Sequence, residues 1–230
     1  MANILFTGGD GNLCSEFKKI SNDFIFLNRH DMDITDEDDI KYVFDNYDFD
    51  YVVHSAALTR PMKLHDENPI LSINTNIIGT ANIVKFCIEY NKKLIYISTD
   101  YVYEGIYGFY DEEDGVNPPN KYGWSKLGGE CSVMMMEDYL IIRLGMVEYP
   151  FPHEFAFTDV YKSSVWVDEV PNIVLNLLDE TGVINVGGER KTIYDFVSER
   201  QKNIKGVKSP DTVVKDSSMN IDKLINVIKQ

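Results

Sequence analysis

The chain is poor in cysteine and has none in a pairing arrangement. Cys14, Cys87 and Cys131 are its only three in 230 residues. They are widely spread, with no CxxC and no histidine cluster beside them, which excludes a disulfide framework and a zinc site and points to a reducing cytosol. Long apolar runs are also missing. The first, Ile4 to Phe6, stops at Thr7-Gly8-Gly9, too short and without the cationic start of a signal peptide, and no later run approaches a membrane span. Positive charge is scarce. With 22 Lys and Arg against 37 Asp and Glu, the net charge of -15 sets the surface against nucleic acid and anionic membrane. No internal repeat, heptad or low-complexity segment interrupts the chain. The expectation is a soluble, cytoplasmic protein with no metal site.

What is present is enough for one good core. At 44% hydrophobic and 26% charged, the chain builds one compact unit, with any second lobe small. Residues 3–7 read as a buried strand, followed at once by Gly8-Gly9-Asp10-Gly11-Asn12-Leu13-Cys14 and a helical run through Ile20. Strand, glycine turn and helix together form a cradle for a dinucleotide pyrophosphate: Gly8 and Gly11 allow close backbone approach, and the helix start offers free N–H groups. An ordinary glycine turn is the bland alternative. Cys14 stands where a third glycine would let helix pack on strand, and it predicts slightly wider packing without loss of the site.

A second strand, Phe24 to Leu27, ends without the carboxylate that commonly holds an adenosine ribose. Asn28-Arg29 stands there instead. A guanidinium suits a 2′-phosphate, so NADPH is expected over NADH, unless Arg29 is a solvated charge and Asp31 or Asp33 holds the ribose. Thr35 with Asp38 reads as a cap signature for a helix to about Tyr47. A third strand, Tyr51 to Ser55, ends in His54-Ser-Ala-Ala57, whose small residues leave room for a ligand while His54 reads as packed and hydrogen-bonded. A long helix is predicted over 70–90. Asn74 and Asn76 within it read as structural bridges.

A fourth strand over 93–97 carries Ser98-Thr99-Asp100 at its carboxyl tip, facing the crevice that the glycine turn serves. One loop later comes Tyr122-Gly-Trp-Ser-Lys126. On a helix, that spacing puts a phenol and an ammonium on one face. A lysine charge favours the phenolate, so a phenol that titrates near about 10 moves toward neutrality and can exchange a proton with substrate. Taken alone, Tyr and Lys at this spacing occur on many helices without chemistry. Thr99 supplies the context, because its hydroxyl and the phenol can converge on one carbonyl oxygen. Beyond a fifth strand, Tyr139 to Leu144, the pattern dissolves into Pro and aromatic residues. Short strands are predicted near 165–167 and 183–186, and helices from Asp168, from Thr192 and from Ser217 or Ser218. The only boundary falls near Gly145, giving a dinucleotide-binding domain over 1–144 and a small lobe over 145–230.

The ordered set TGGDGNLC, DITD, HSAA, ENP, NIIGT, STDYVYEG, YGWSK and RLGMV resembles the extended short-chain dehydrogenase/reductase superfamily. Within it, STDYVYEG, YGWSKLGGE, VWVDEV and KDSSMNIDKLINVI look most like the dTDP-4-dehydrorhamnose reductase branch and its sugar-nucleotide relatives. The resemblance implies an α/β fold, a doubly wound parallel (Rossmann) sheet with a trimmed C-terminal substrate lobe. It implies Thr99, Tyr122 and Lys126 as the catalytic trio, with Lys126 also on the nicotinamide ribose. Gly8, Gly11, Asn12 and Leu13 would meet pyrophosphate. Asn28 and Arg29 would lie at the adenosine ribose or its phosphate, and Asp33 and Ile34 by adenine. Ala56, Ala57, Thr59, Asn76 and Ser98 would line the rest of the cofactor, and Asp100, Arg143 and Met146 would face substrate with Thr99 and Tyr122. The implied activity is reduction of the C4 ketone of a 4-keto-6-deoxy sugar nucleotide by NADP(H), with NAD(H) the second choice, in a homodimer paired through the helices over 70–90 and 121–136.

Two departures stand out. Met146 replaces a tryptophan usual in these reductases, and only 22 residues separate Arg143 from Trp166, so the lobe is trimmed. The alternatives are an epimerase or dehydratase that retains its nicotinamide, and a non-catalytic NADP-binding subunit like the regulatory subunit of methionine adenosyltransferase. Asp100-Tyr101 after Thr99, in place of the Asp-Glu of dehydratases, favours net reduction.

Overall fold

A computed structural model describes residues 3–229. The first part alternates strand and helix: β1 (Ile4–Thr7), α1 (Asn12–Ile20), β2 (Ile25–Leu27), α2 (Glu37–Asn46) and β3 (Tyr51–His54). Short α3 (Lys63–Glu67) and α4 (Pro69–Ser72) lead through a π-type stretch, Ile73–Gly79, into α5 (Thr80–Glu89). Then come β4 (Lys93–Thr99), one 3-10 turn (Asp100–Val102), α6 (Lys121–Val133) and β5 (Tyr139–Leu144). The remainder is made of shorter pieces: β6 (Met146–Val147), β7 (Phe155–Phe157), β8 (Tyr161–Ser163), β9 (Val165–Trp166), α7 (Val170–Asn176), β10 (Gly182–Val186), β11 (Arg190–Thr192), α8 (Ile193–Arg200), β12 (Lys205–Val207) and α9 (Asp222–Ile228).

Six strands form one parallel sheet in the order β10-β5-β4-β3-β1-β2. Helices cover both faces, so the strands are apolar throughout rather than alternating; Leu94, Ile95 and Tyr96 are all fully buried. One face packs Phe6, Cys14 and Phe17 with Val170, Val174 and Leu224. The other packs Leu5, Ile40 and Phe44 with Ile83, Phe86 and Val133. The strand order reverses between β1 and β3, and a crevice opens there at the carboxyl ends. The expected doubly wound fold is observed. The C-terminal part adds a small cluster of its own, Ala156, Trp166, Phe196, Val197 and Ile204, yet also returns β10 to the main sheet beside β5.

The differences from expectation are local. The helix expected over 70–90 is present, running from Pro69 to Glu89, but its turns widen to the π type between Ile73 and Gly79. Asp36, not Thr35, caps α2, its side chain accepting from the Asp38 N–H. Glu169 precedes α7 without a side-chain cap, where Asp168 was expected. The last helix starts at Asp222; Ser217 and Ser218 are buried and bonded elsewhere. Strands of two or three residues, such as β6, β7, β8, β11 and β12, are too short to show a period of two.

A buried ion pair ties the main sheet to α6. Arg143 on β5 and Glu130 on α6 are 3% and 0% exposed, with Nη2 to Oε2 at 2.9 Å. Ser98 on β4 donates to Glu130, and Arg143 also donates to the Tyr103 hydroxyl at 2.9 Å. Breaking such a pair strands a buried charge. Glu130→Ala is therefore expected to cost about 3–5 kcal/mol in urea unfolding; a loss under about 1 kcal/mol would contradict this account.

Candidate active site

The glycine turn lies at the mouth of the crevice. Gly8 has φ +74°, and a Cβ there would come within 2.8 Å of the Ala56 backbone, so no other residue fits without displacing β3's exit. The Gly11 N–H donates to the Gly8 carbonyl at 2.9 Å, and α1 starts at Asn12 with no side-chain cap. Its first N–H groups are left for an anion. Cys14 is fully buried, with Sγ 3.3 Å from the Ser55 hydroxyl and 3.8 Å from the Thr7 carbonyl. A small thiol thus takes the place of the third glycine with helix and strand still in contact.

From this turn a cavity of about 340 Å³ runs toward β2, lined by Gly8, Gly11, Asn28, Arg29, Asp33, Ile34, Ala56 and Ala57 among others. Most of the residues expected at the adenosine end share it. The Asn28 side chain accepts from the His30 N–H at 2.7 Å, and the Asn28 backbone N–H donates to the Asp31 carboxylate at 3.0 Å. Arg29 is exposed and bonds Asp33 at 3.1 Å. Burial opposes ionisation of Asp33, but bonds from the Thr35 N–H and hydroxyl and from Arg29 hold its carboxyl below the usual range. Guanidinium and carboxylate both face the place expected for a ribose or its phosphate. Thr59 is exposed and lies just beyond.

Thr99 ends β4, and Tyr122 and Lys126 lie on α6, which packs against β4. Gly123 lets α6 approach the 3-10 turn after β4, since a Cβ there would lie 2.2 Å from the Tyr101 carbonyl. Asn120 caps the helix, accepting from the Gly123 N–H at 2.8 Å. Tyr122 packs between Tyr101 and His65, with ring centroids at 6.3 and 5.3 Å. Burial raises its phenol to about 12, and the Asp100 charge adds to the rise; a hydrogen bond with Thr99 and the charge of Lys162 pull the other way. This differs from the lowered phenol expected from the Tyr-Lys spacing. Lys126 is 2% exposed, and burial drives its pKa down to about 7, only partly offset by Glu130. Its Nζ lies 4.1 Å from the Tyr96 ring centroid, so much of its charge is met by a π face instead of by the phenol.

Thr99 is 5% exposed and donates to Asp100 Oδ1 at 3.2 Å. With one hydroxyl proton, it must leave Asp100 to serve a substrate oxygen. Several expected contacts are engaged within the protein. Arg143 and Ser98 belong to the buried Glu130 network described above. Asn76 is fully buried, bonding the Leu58 N–H and carbonyl at 2.7 and 2.9 Å and the Ser125 hydroxyl at 2.8 Å; it fastens the β3 exit to α6. Met146 lies on β6, partly exposed. His54 is packed as expected, between Thr7 at 2.7 Å and Thr80 at 3.0 Å, with burial lowering its pKa to about 3.

Sequence reading missed Lys162, which pairs with Asp100, and Ser217, which donates to the same oxygen at 2.7 Å. It missed Glu148 as well, which accepts from Asn12 at 2.8 Å and from Arg60 at 2.7 Å across the crevice. None of these has a local motif that could have announced it.

A doubly wound sheet, a glycine turn feeding α1, and a Thr, Tyr and Lys set at the carboxyl edge define a dinucleotide-binding fold of the short-chain dehydrogenase/reductase type. The chain belongs to the family described as the RmlD substrate binding domain, whose model matches residues 1–162. A dTDP-4-dehydrorhamnose reductase of Mycolicibacterium smegmatis is 32% identical over 151 residues, 63% of this chain and 45% of that protein. Methionine adenosyltransferase 2 subunit beta of Danio rerio is 38% identical over 103 residues, 44% of this chain and 30% of its own length. The chain spans about half or less of the length of these curated relatives. Among solved structures, a dTDP-4-dehydrorhamnose reductase of Bacillus anthracis in complex with NADP superposes with a TM-score of 0.86 at 22% identity, covering 98% of this chain and 92% of that one.

Lys126 generates a stability prediction. Its folded pKa near 7 lies below the 10.5 of an ordinary lysine, so the unfolded chain holds more protons between these values and this group makes stability rise with pH across that window. Lys126→Met removes the cost of burying the ammonium. The variant is expected to gain on the order of 2 kcal/mol at pH 7, and its urea stability should lose the upward slope between pH 7 and 10.

Proposed function

We propose that the chain is an NADPH-dependent reductase acting on the C4 ketone of a 4-keto-6-deoxy sugar nucleotide, with NADH a weaker donor. The observation that carries this reading is the placement of Thr99 at the end of β4 and of Tyr122 and Lys126 on α6, which packs against β4, with Thr99 acting on the Tyr122 phenol. Family membership and the likeness to dTDP-4-dehydrorhamnose reductases supply the substrate class. The cavity and the uncapped α1 fit a dinucleotide: Gly8, Gly11, Asn12 and Leu13 would hold its pyrophosphate, Arg29, Asp33 and Ile34 its adenosine end, and Ala56, Ala57 and Lys126 the remainder. When bound, the nicotinamide supplies hydrogen and two electrons to the ketone carbon. Thr99 orients the carbonyl oxygen, and Tyr122 gives it a proton.

In this reading residues 145–230 form the substrate lobe and the protein works in the cytoplasm; among the described residues no helix is long and apolar enough to cross a membrane. A homodimer is part of the proposal. Ile70, Ile73, Ile78 and Trp124 are exposed on the α4, π-type and α6 surface and Met135 just past the end of α6, and sedimentation should find a dimer that Met135→Glu weakens. A second reading, a non-catalytic nucleotide-binding subunit, draws on the match to the methionine adenosyltransferase subunit and on a phenol that titrates high.

Turnover separates them. The reductase should oxidise added NADPH with a panel of 4-keto-6-deoxy sugar nucleotides, whereas NADPH binding without turnover on any of them favours the subunit. Tyr122→Phe is expected to lower kcat by about 10²–10⁴-fold with NADPH affinity nearly unchanged. Near-normal turnover would remove Tyr122 from the mechanism. Arg29→Ala should raise the KM for NADPH about tenfold and leave that for NADH alone; a wild-type preference for NADH would end this role for Arg29.

A further inference from the structure

Asp100 follows Thr99 directly and is 3% exposed. A carboxylate so placed is costly unless paired, and its partner comes from 62 residues away. Lys162 on β8 bonds Oδ2, and Ser217 donates to the same atom at 2.7 Å. Lys162 Nζ also lies 4.1 Å from the Tyr101 ring centroid, and that ring packs on Tyr122. The neighbouring cations serve other carboxylates. Lys191, opposite Lys162 in the β8–β11 register, meets Glu199 at 2.8 Å, and Arg190 meets Asp216 at 2.7 Å. Nothing in the STDYVYEG or YGWSK motifs points to Lys162.

We propose that Lys162 is a positioning residue for proton delivery: by neutralising Asp100 beside the Tyr122 phenol, it lowers the cost of the phenolate that proton transfer leaves behind. This role rests on the reductase reading above. In that reaction the ketone carbon gains a C–H bond and two electrons from NADPH, the C4 oxygen gains the Tyr122 proton, and NADP is formed. Tyr122 is briefly an anion and then recovers a proton from water. An unpaired Asp100 carboxylate at its side would oppose that anion. The directions of the two influences on Tyr122 agree, Asp100 raising its pKa and Lys162 lowering it. Asp100 also accepts the Thr99 hydroxyl at 3.2 Å, so its charge state touches both groups that would meet the substrate oxygen.

The experiment compares wild type, K162M, K162R and D100N/K162M with NADPH and the sugar-nucleotide panel, measuring kcat, KM, NADPH affinity by fluorescence, and melting temperature. K162M should lower kcat by about 10–100-fold while NADPH affinity stays within about threefold. K162R should keep kcat within about fivefold of wild type, because the charge is retained. D100N/K162M carries the decisive result: with both charges removed, kcat should recover at least about tenfold over K162M. Should K162M fail to fold, the double variant, which buries no lone carboxylate, is compared with wild type and should keep kcat within about tenfold of it. A K162M as fast as wild type overturns the proposal, as does a double variant that fails to fold or folds and stays as slow as K162M. These outcomes leave the reductase reading intact; a wild-type protein that binds NADPH but reduces no member of the panel sinks both.

Discussion

The placement of α6 depends on one buried ion pair. Arg143 and Glu130 meet in the interior, with Ser98 and Tyr103 completing their hydrogen bonds. An isolated pair of this kind would be a poor source of stability, because both ions lose their hydration. Its value here is directional. Glu130 lies one helical turn beyond Lys126 and two beyond Tyr122, so fixing its carboxylate against β4 and β5 fixes the rotation of the helix that carries both. Asn76 adds a second tether from the other side, joining Ser125 to the Leu58 backbone. Between the two, the phenol is delivered to the same sheet edge as Thr99.

Charge inside the site follows from this burial. Lys126 is driven toward neutrality, and its ammonium finds the Tyr96 ring rather than a carboxylate. Tyr122 is driven the other way, its phenol raised by burial and by the Asp100 charge. The negative charge of Asp100 is balanced from the C-terminal part of the chain by Lys162 and Ser217.

What could be read from the sequence was what is local along it. Gly8 and Gly11 declare a turn by spacing alone, Tyr122 and Lys126 share a helix face by counting, and the apolar strands over 4–7, 51–54 and 139–144 declare a buried parallel sheet. The pairing of Arg143 with Glu130 could not be read, because an arginine on a strand looks the same whether or not a buried glutamate waits for it. Cys14 was legible as a small buried residue. Lys162 and Ser217 were not legible at all, since they reach Asp100 across 62 and 117 residues and lie on a three-residue strand and in a loop. The widened stretch within the helix over 70–90 was invisible for a different reason: π-type turns alter helix width without disturbing the apolar pattern enough to announce it.

The return of β10 to the main sheet has a consequence for how the chain could evolve. Val165, Val167, Val170 and Val174 wall one face of that sheet together with Ile4 and Phe6 from its beginning, and β10 covers the edge of β5. A split after Leu144 would bare an unpaired strand and half a core. The pieces outside that wall, the small sheets and the Trp166–Phe196 cluster, can change without uncovering it. Those are the segments in which relatives can diverge in recognition while inheriting an unaltered scaffold.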